Sequence, residues 1–227
     1  MKAKQKKPIQ IIGTVLVCVA ILIYALYLVK NEFFDESKLY PIKYEVFVDK
    51  YSADFGVPKE TVYAVIHTES SFRADAVSSA GAIGLMQIIP ETFTWLSKKL
   101  NEQVTEDMYS DPETNIKYGV FYLSWLYERF DNDEAVFAAY NAGYSRVKGW
   151  LADERYSQDG STLSKIPYPE TENYVKKVIK AKEKYKNIYF SQSNVEQSIN
   201  STKNCNNLYI DLMSAKGVIY LKPSFDL

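Results

Sequence analysis

Val62-Tyr63-Ala64-Val65-Ile66-His67-Thr68-Glu69-Ser70-Ser71-Phe72 carries an apolar run, Val62 to Ile66, almost directly into a carboxylate and two small hydroxyl residues. Twelve residues after Glu69 a glycine-punctuated turn begins, Gly81-Ala82-Ile83-Gly84-Leu85-Met86-Gln87. A carboxyl at the end of a buried helix can hold its proton near neutral pH, because burial disfavours the charged form. Glu69 is therefore a candidate general acid.

Helical patterns flank this stretch on both sides. Tyr44, Phe47, Val48 and Tyr51 recur at helical spacing until Gly56, and Pro58 suits the first turn of the helix that carries Glu69. The segment from Arg73 to Gly84 reads as turns. Pro90 opens a helix with Phe93, Leu96 and Leu100 on one side. Ile116, Val120, Leu123, Leu126, Tyr127 and Phe130 form one stripe, which predicts a helix from about Pro112 to Phe130 with Asp111 as its cap. Shorter helices are expected over Asp133 to Tyr140, ending by Gly143, and over Arg146 to Leu151. A polar loop follows at 152–166. Pro169 starts a last long helix with Tyr174, Val178, Ala181 and Tyr185 inward. No convincing strand precedes residue 205. The fold class expected is mainly α.

The ends of the chain differ from this middle. Residues 1–30 hold five lysines and no acid, which leaves 22 basic and 28 acidic side chains, a net of about −6, in the remainder. That balance does not suggest a nucleic-acid partner, which needs a basic face. Ile11 to Val29 is nineteen residues without a charge; as a helix it would be roughly 29 Å long, near the hydrocarbon thickness of a bilayer. The lysines before it and Glu32, Asp35 and Glu36 after it place the N-terminus in the cytoplasm and the rest outside. Bulky residues through Leu26-Tyr27-Leu28-Val29 argue against a cleaved signal peptide. The expected organisation is a basic tail (1–10), a transmembrane signal-anchor (11–29), a stalk (30–41), a helical catalytic domain (42–187), and a polar linker with a C-terminal extension (188–227). The last part contains a candidate hairpin between Leu208 and Leu221. Cys18 in the anchor and Cys205 beyond the domain are not expected to pair, so the external domain relies on its core.

Two further polar constellations stand at helix edges: Ala138-Ala139-Tyr140-Asn141-Ala142-Gly143 and Glu170-Thr171-Glu172-Asn173-Tyr174-Val175. Only a tertiary cleft can bring them to Glu69. Taken in order with Ser78, the Gly81–Gln87 turn and Asn115-Ile116, these blocks resemble the catalytic domain of lytic transglycosylases of the soluble-lytic-transglycosylase type, similar in fold to goose-type lysozymes. The resemblance covers about residues 42–187. It implies a lysozyme-like helical domain with a substrate cleft, preceded here by one transmembrane helix.

The resemblance implies peptidoglycan glycan strands as substrate, cut at the β-1,4 bond between N-acetylmuramic acid and N-acetylglucosamine. Most glycosidases use two carboxylates; this family uses one. Glu69 would protonate the leaving oxygen and then take the proton of the muramyl C6 hydroxyl as that oxygen attacks C1, giving a 1,6-anhydro end. By matching position, Ser78 and Gln87 would bond the sugar, Met86 would line the pocket, Tyr140 and Tyr174 would contact Glu69 or the saccharide, and Asn141 would hold the cleft-side backbone or sugar. Ile89 departs from the methionine frequent before the proline in relatives. Asn115 also reads simply as support for its helix start.

Other residues invite roles that the pattern does not support. His67 lies two positions from Glu69 on a helix and need not face it. No HExxH or Cys/His cluster is present, so neither a metal nor a cofactor is expected. Ser70 and Ser71 lack a nucleophile elbow. The lysines from Lys176 to Lys186 read as a solvated helix face. Two alternatives stay open: a lysozyme-like hydrolase that uses water, and a non-catalytic wall-binding or assembly module. Protein partners are not legible.

Overall fold

The computed structural model describes residues 6–33 and 36–191; on the first helix, side chains are described over residues 12–25. The linker and hairpin expected after residue 191, with Cys205, lie outside the described residues. The chain divides into two compact units, Met1–Pro41 and Ile42–Leu227.

The first unit holds α1 (Lys6–Phe33) and the four-residue α2 (Glu36–Leu39) within the expected stalk. Every side chain described on α1 is exposed, including Val15, Leu16, Ile21, Leu22 and Ile23. Among the described residues no helix is long and apolar enough to cross a membrane.

The second unit is helical, with isolated bridges but no strand among its described residues. Its elements are α3 (Glu45–Phe55), α4 (Lys59–Ser70), α5 (Pro90–Leu100), α6 (Pro112–Tyr127), α7 (Asp133–Ala142), α8 (Tyr144–Leu151) and α9 (Pro169–Tyr185). Local chemistry sets their ends. Gly56 stops α3 in the left-handed region, with φ 69°. Asp111 caps α6 by accepting the Thr114 N–H at 2.9 Å, and Asn132 caps α7 by accepting the Ala135 N–H at 2.9 Å. Pro58 stands one position earlier than the sequence pattern predicts, at the cap of α4 rather than inside its first turn.

The α4 helix runs through the core. Val62, Ala64, Val65 and Ile66 are fully buried, so this helix is apolar around its circumference rather than amphipathic. It packs against α9 and α3; α9 also packs on α7, and α6 joins α3, α5 and α7. The Tyr63 ring stacks on Tyr185 of α9 at 5.5 Å. Lys182 leaves the expected solvated stripe: its Nζ lies 2.6 Å from Asp133 Oδ2 and ties α9 to the start of α7.

Candidate active site

Glu69 stands in the last turn of α4, where the helix is cut short by two residues in left-handed conformation, Ser71 (φ 52°) and Phe72 (φ 64°). Each costs about 1–2 kcal/mol for a non-glycine residue. The local structure offsets this strain. Phe72 is buried, and the Ser70 hydroxyl donates to the Leu85 carbonyl at 2.8 Å. The chain is thereby turned away directly after Glu69, leaving its carboxyl half-buried at the edge of a cleft.

The segment that follows is held by its own backbone. Ser78 N–H donates to Ala82 O at 2.9 Å, and Ser78 Oγ accepts the Ala82 N–H at 3.0 Å. The Gln87 side-chain amide donates to Ala76 O and Gly84 O at 3.1 and 2.9 Å. Asn115, fully buried on α6, clamps the segment from below. Its Oδ1 accepts the Met86 N–H at 2.7 Å, and its Nδ2 donates to Ile83 O at 3.0 Å and to Tyr109 O at 2.7 Å. Gly84 is required at this contact: it has φ +81°, and a Cβ there would lie 2.2 Å from Asn115 Nδ2. Asn115 therefore does more than support its helix start.

Two tyrosines arrive from other helices. Tyr174 of α9 donates its hydroxyl to Glu69 Oε1 at 2.7 Å. Tyr140 of α7 donates to the Met86 carbonyl at 2.8 Å. Burial pushes the Glu69 carboxyl from its ordinary value near 4.5 up to about 7, and the Tyr174 hydrogen bond acts in the opposite direction. The negative end of the α4 dipole also disfavours the carboxylate. Both tyrosines are held well above the ordinary phenol value, by burial first and by the nearby Glu69 charge second. They remain O–H donors through the neutral range.

The cleft holds about 460 Å³ and is lined by Glu69, Ser78, Gln87, Tyr140 and Asn141, together with Tyr122 and Glu170. Tyr174 lies beside this lining, bonded to Glu69. Met86 does not line the pocket as expected. Its side chain is fully buried, against Gly119, where a Cβ would meet Met86 Sδ at 2.2 Å. Its backbone serves the site instead, through Asn115 and Tyr140. Asn141 accepts the Thr171 hydroxyl at 2.8 Å, which joins α7 to α9 beneath the cleft. His67 packs edge-on to Phe72 and Tyr185 and is not among the lining residues. Among the described residues no His, Cys, Asp or Glu cluster suits a metal ion.

Glu170 and Tyr122 are among the lining residues that carry no assigned role in the sequence reading. Glu170 is an exposed carboxylate at the rim, and the signal for it was its place in the Glu170-Thr171 block. Tyr122, its hydroxyl pushed up to about 12 by burial, packs on Tyr140 at 5.2 Å. It falls off the apolar stripe of α6 that marks the core face, and that offset was its signal.

A helical domain with one proton-holding carboxyl in an open cleft belongs to the lysozyme-like class of folds. Within that class the chain belongs to the transglycosylase SLT domain family, whose profile matches residues 47–162, about half of the chain. It is 35% identical over 144 residues to the soluble lytic murein transglycosylase of Escherichia coli strain K12, covering 62% of this chain and 22% of that protein. It is 32% identical over 169 residues to the membrane-bound lytic murein transglycosylase C of Haemophilus ducreyi, covering 64% of this chain and 46% of the relative. The chain thus spans less than half the length of both relatives. The crystal structure of the 70 kDa soluble lytic transglycosylase of Escherichia coli superimposes with a TM-score of 0.62 at 30% identity, over 70% of this chain and 26% of that one.

Proposed function

We propose that this chain is a peptidoglycan lytic transglycosylase that cuts the N-acetylmuramic acid–β-1,4–N-acetylglucosamine bond and leaves a 1,6-anhydromuramyl end. The observation that carries the reading is the Glu69–Tyr174 pair at the cleft, with the Glu69 carboxyl holding its proton up to about pH 7. Protonated Glu69 delivers its proton to the glycosidic oxygen as the C1–O4 bond breaks. The resulting carboxylate is met by the Tyr174 hydroxyl at Oε1, and among the described residues Oε2 has no protein partner. The carboxylate then takes the proton of the muramyl C6 hydroxyl as O6 bonds to C1, and Glu69 is regenerated. A nucleophile already attached to the substrate lowers the entropic cost of attack, by about 7 kcal/mol or more in favourable geometry. Ser78, Gln87, Asn141 and Tyr140 line the cleft, which supports a role for them in holding the sugar and its N-acetyl group.

One observation favours a second reading. Glu170 puts another carboxylate at the rim, and a hydrolase needs a second carboxylate to activate water. The transglycosylase reading is preferred because residues 47–162 match the transglycosylase SLT domain and the similar Escherichia coli protein is a lytic murein transglycosylase. The test is muropeptide release from purified peptidoglycan by the wild type and by Glu69→Gln. Loss of nearly all turnover in a folded variant is expected. Wild-type-like release would overturn the assignment and favour a non-catalytic wall-binding module.

The same proposal places the domain outside the cytoplasm on a membrane anchor, Ile11–Val29. Its support is the uncharged run, the continuous α1 helix and the apolar side chains exposed along it. Residues 12–25, where those side chains are described, are fewer than the about 20 a bilayer span needs. The name of the Haemophilus ducreyi relative, membrane-bound, points the same way.

A further inference from the structure

The last long helix, α9, changes charge along its length. Glu170, at the cleft rim, and Glu172 stand in its first turn, and Lys176 pairs with Glu172 at 2.5 Å. Beyond them Lys177, Lys180 and Lys184 follow at i, i+3 and i+7, outside the buried face of Tyr174, Val178 and Tyr185. Along the axis these lysines are roughly 4.5 and 6 Å apart, within one Debye length, so they present a common field. Lys177 and Lys180 are exposed and, among the described residues, form no ion pair. Neither lies in the last turn, where the helix dipole favours cations. Like charges at these spacings disfavour a helix. The stripe is therefore held against local preference, in a chain whose net charge after residue 30 is about −6.

The basic end of α9 also carries apolar surface, and it lies where the chain enters the second unit. One π-helical turn, Lys186–Phe190, continues α9 and leaves Ile188, Tyr189 and Phe190 half-buried. Phe190 stacks on Tyr63 of α4 at 6.2 Å. Burial raises the Tyr63 hydroxyl most, and the charge of Glu45, the first residue of α3, is near enough to raise it further. The first turn of the domain and its last are thus neighbours across Tyr63. Val46, next to Glu45, is 76% exposed. Tyr174, at the cleft, precedes Tyr185 by eleven residues, roughly 16 Å along the helix. Lysines and aromatic side chains together suit the boundary between headgroups and acyl chains. We infer that this end of the domain docks on a bilayer surface of anionic lipid, with the cleft held away from it at the other end of α9. Glu45 and Glu183 oppose the docking, while Asp49 is neutralised by Lys59 at 2.8 Å. Glu170 and Glu172 are repelled by the same surface, which turns the cleft end outward. The inference rests on the reading of Ile11–Val29 as an anchor that keeps the domain within reach of the bilayer. A few lysines bind reversibly and would not by themselves hold a chain lacking residues 1–30 through a fractionation.

The test uses the fragment beginning at Ile42, a compact unit with its own buried core. It is titrated at low salt with vesicles of phosphatidylcholine alone and of phosphatidylcholine containing phosphatidylglycerol. Binding to the anionic vesicles only is expected, and it should fall as salt is raised. Lys177→Gln and Lys180→Gln should each weaken it about fivefold, and the pair roughly twenty-fivefold. Lys98→Gln, which removes an exposed lysine of α5, should leave it unchanged. Cleavage of soluble peptidoglycan fragments by the paired variant should match the parent, which separates docking from misfolding. Equal binding to both vesicles, no loss in the paired variant, or an equal loss with Lys98→Gln would overturn the docking surface. So would displacement from the vesicles by soluble polyglycerol phosphate at equal phosphate concentration, which would assign the lysines to a wall polymer. The outcome is separable from the anchor reading, because the fragment lacks residues 1–41 and the anchor is scored on the full chain.

Discussion

Replacing Glu69 by Gln should stabilise the domain, and the gain should depend on pH. The carboxyl is raised from about 4.5 to about 7 by burial. A raised acid holds its proton more tightly in the folded state than in the unfolded one. Its contribution is therefore fully present below about pH 4.5 and is lost as pH rises through about 7. At 1.36 kcal/mol per unit, the wild type loses about 3 kcal/mol from this group across that window. In Glu69→Gln the amide is neutral throughout and nothing is lost. The assay is urea unfolding of a fragment beginning at Ile42, which forms its own compact unit. The stability difference between variant and wild type is measured from about pH 4 to about pH 8, so that other titrating groups cancel. The difference is expected to grow toward the variant by about 3 kcal/mol, most of it between about pH 5 and about pH 7. A flat difference would mean that Glu69 titrates as an ordinary carboxyl, and the general-acid argument would lose its physical basis.

Tyr174→Phe removes the hydrogen bond that lowers the Glu69 pKa; the alkaline limb of the kcat/KM profile should move to higher pH, and an unmoved limb would deny the coupling. Asn115→Ala leaves the Met86 N–H and two carbonyls without their buried partner. Unfolding titrations should show a loss of about 3 kcal/mol or more, and a loss under about 1 kcal/mol would show that the clamp is dispensable. Removing residues 1–30 should release the protein from the membrane fraction with peptidoglycan cleavage intact; retention on membranes would contradict the anchor.

Much of this domain was legible because its helices are punctuated by residues with one local meaning. Pro90, Pro112 and Pro169 each open the helix they were expected to open, and Asp111 caps α6. Glu69 was legible for a different reason, as a charge at the end of an otherwise buried run. The details that periodicity misses depend on tertiary contacts. Met86 sits in a segment of turns, where no spacing tells inward from cleft-facing, and only the space over Gly119 fixes its side chain in the core. Asn115 is polar on an apolar stripe and draws its meaning from a segment some thirty residues earlier. Glu170 and Tyr122 join the lining only once α9, α7 and α6 have packed. Lys182 looked like part of a charged face until α7 brought Asp133 beside it.

The central claim is that Glu69 activates a nucleophile belonging to the substrate. Digestion of peptidoglycan in heavy-oxygen water, with mass analysis of the released muropeptides, tests it most directly. The expected products are anhydromuramyl ends that lack the mass of one water and carry no label. Labelled reducing ends would contradict the claim and would assign the attacking oxygen to solvent, with Glu170 the residue to examine as its base.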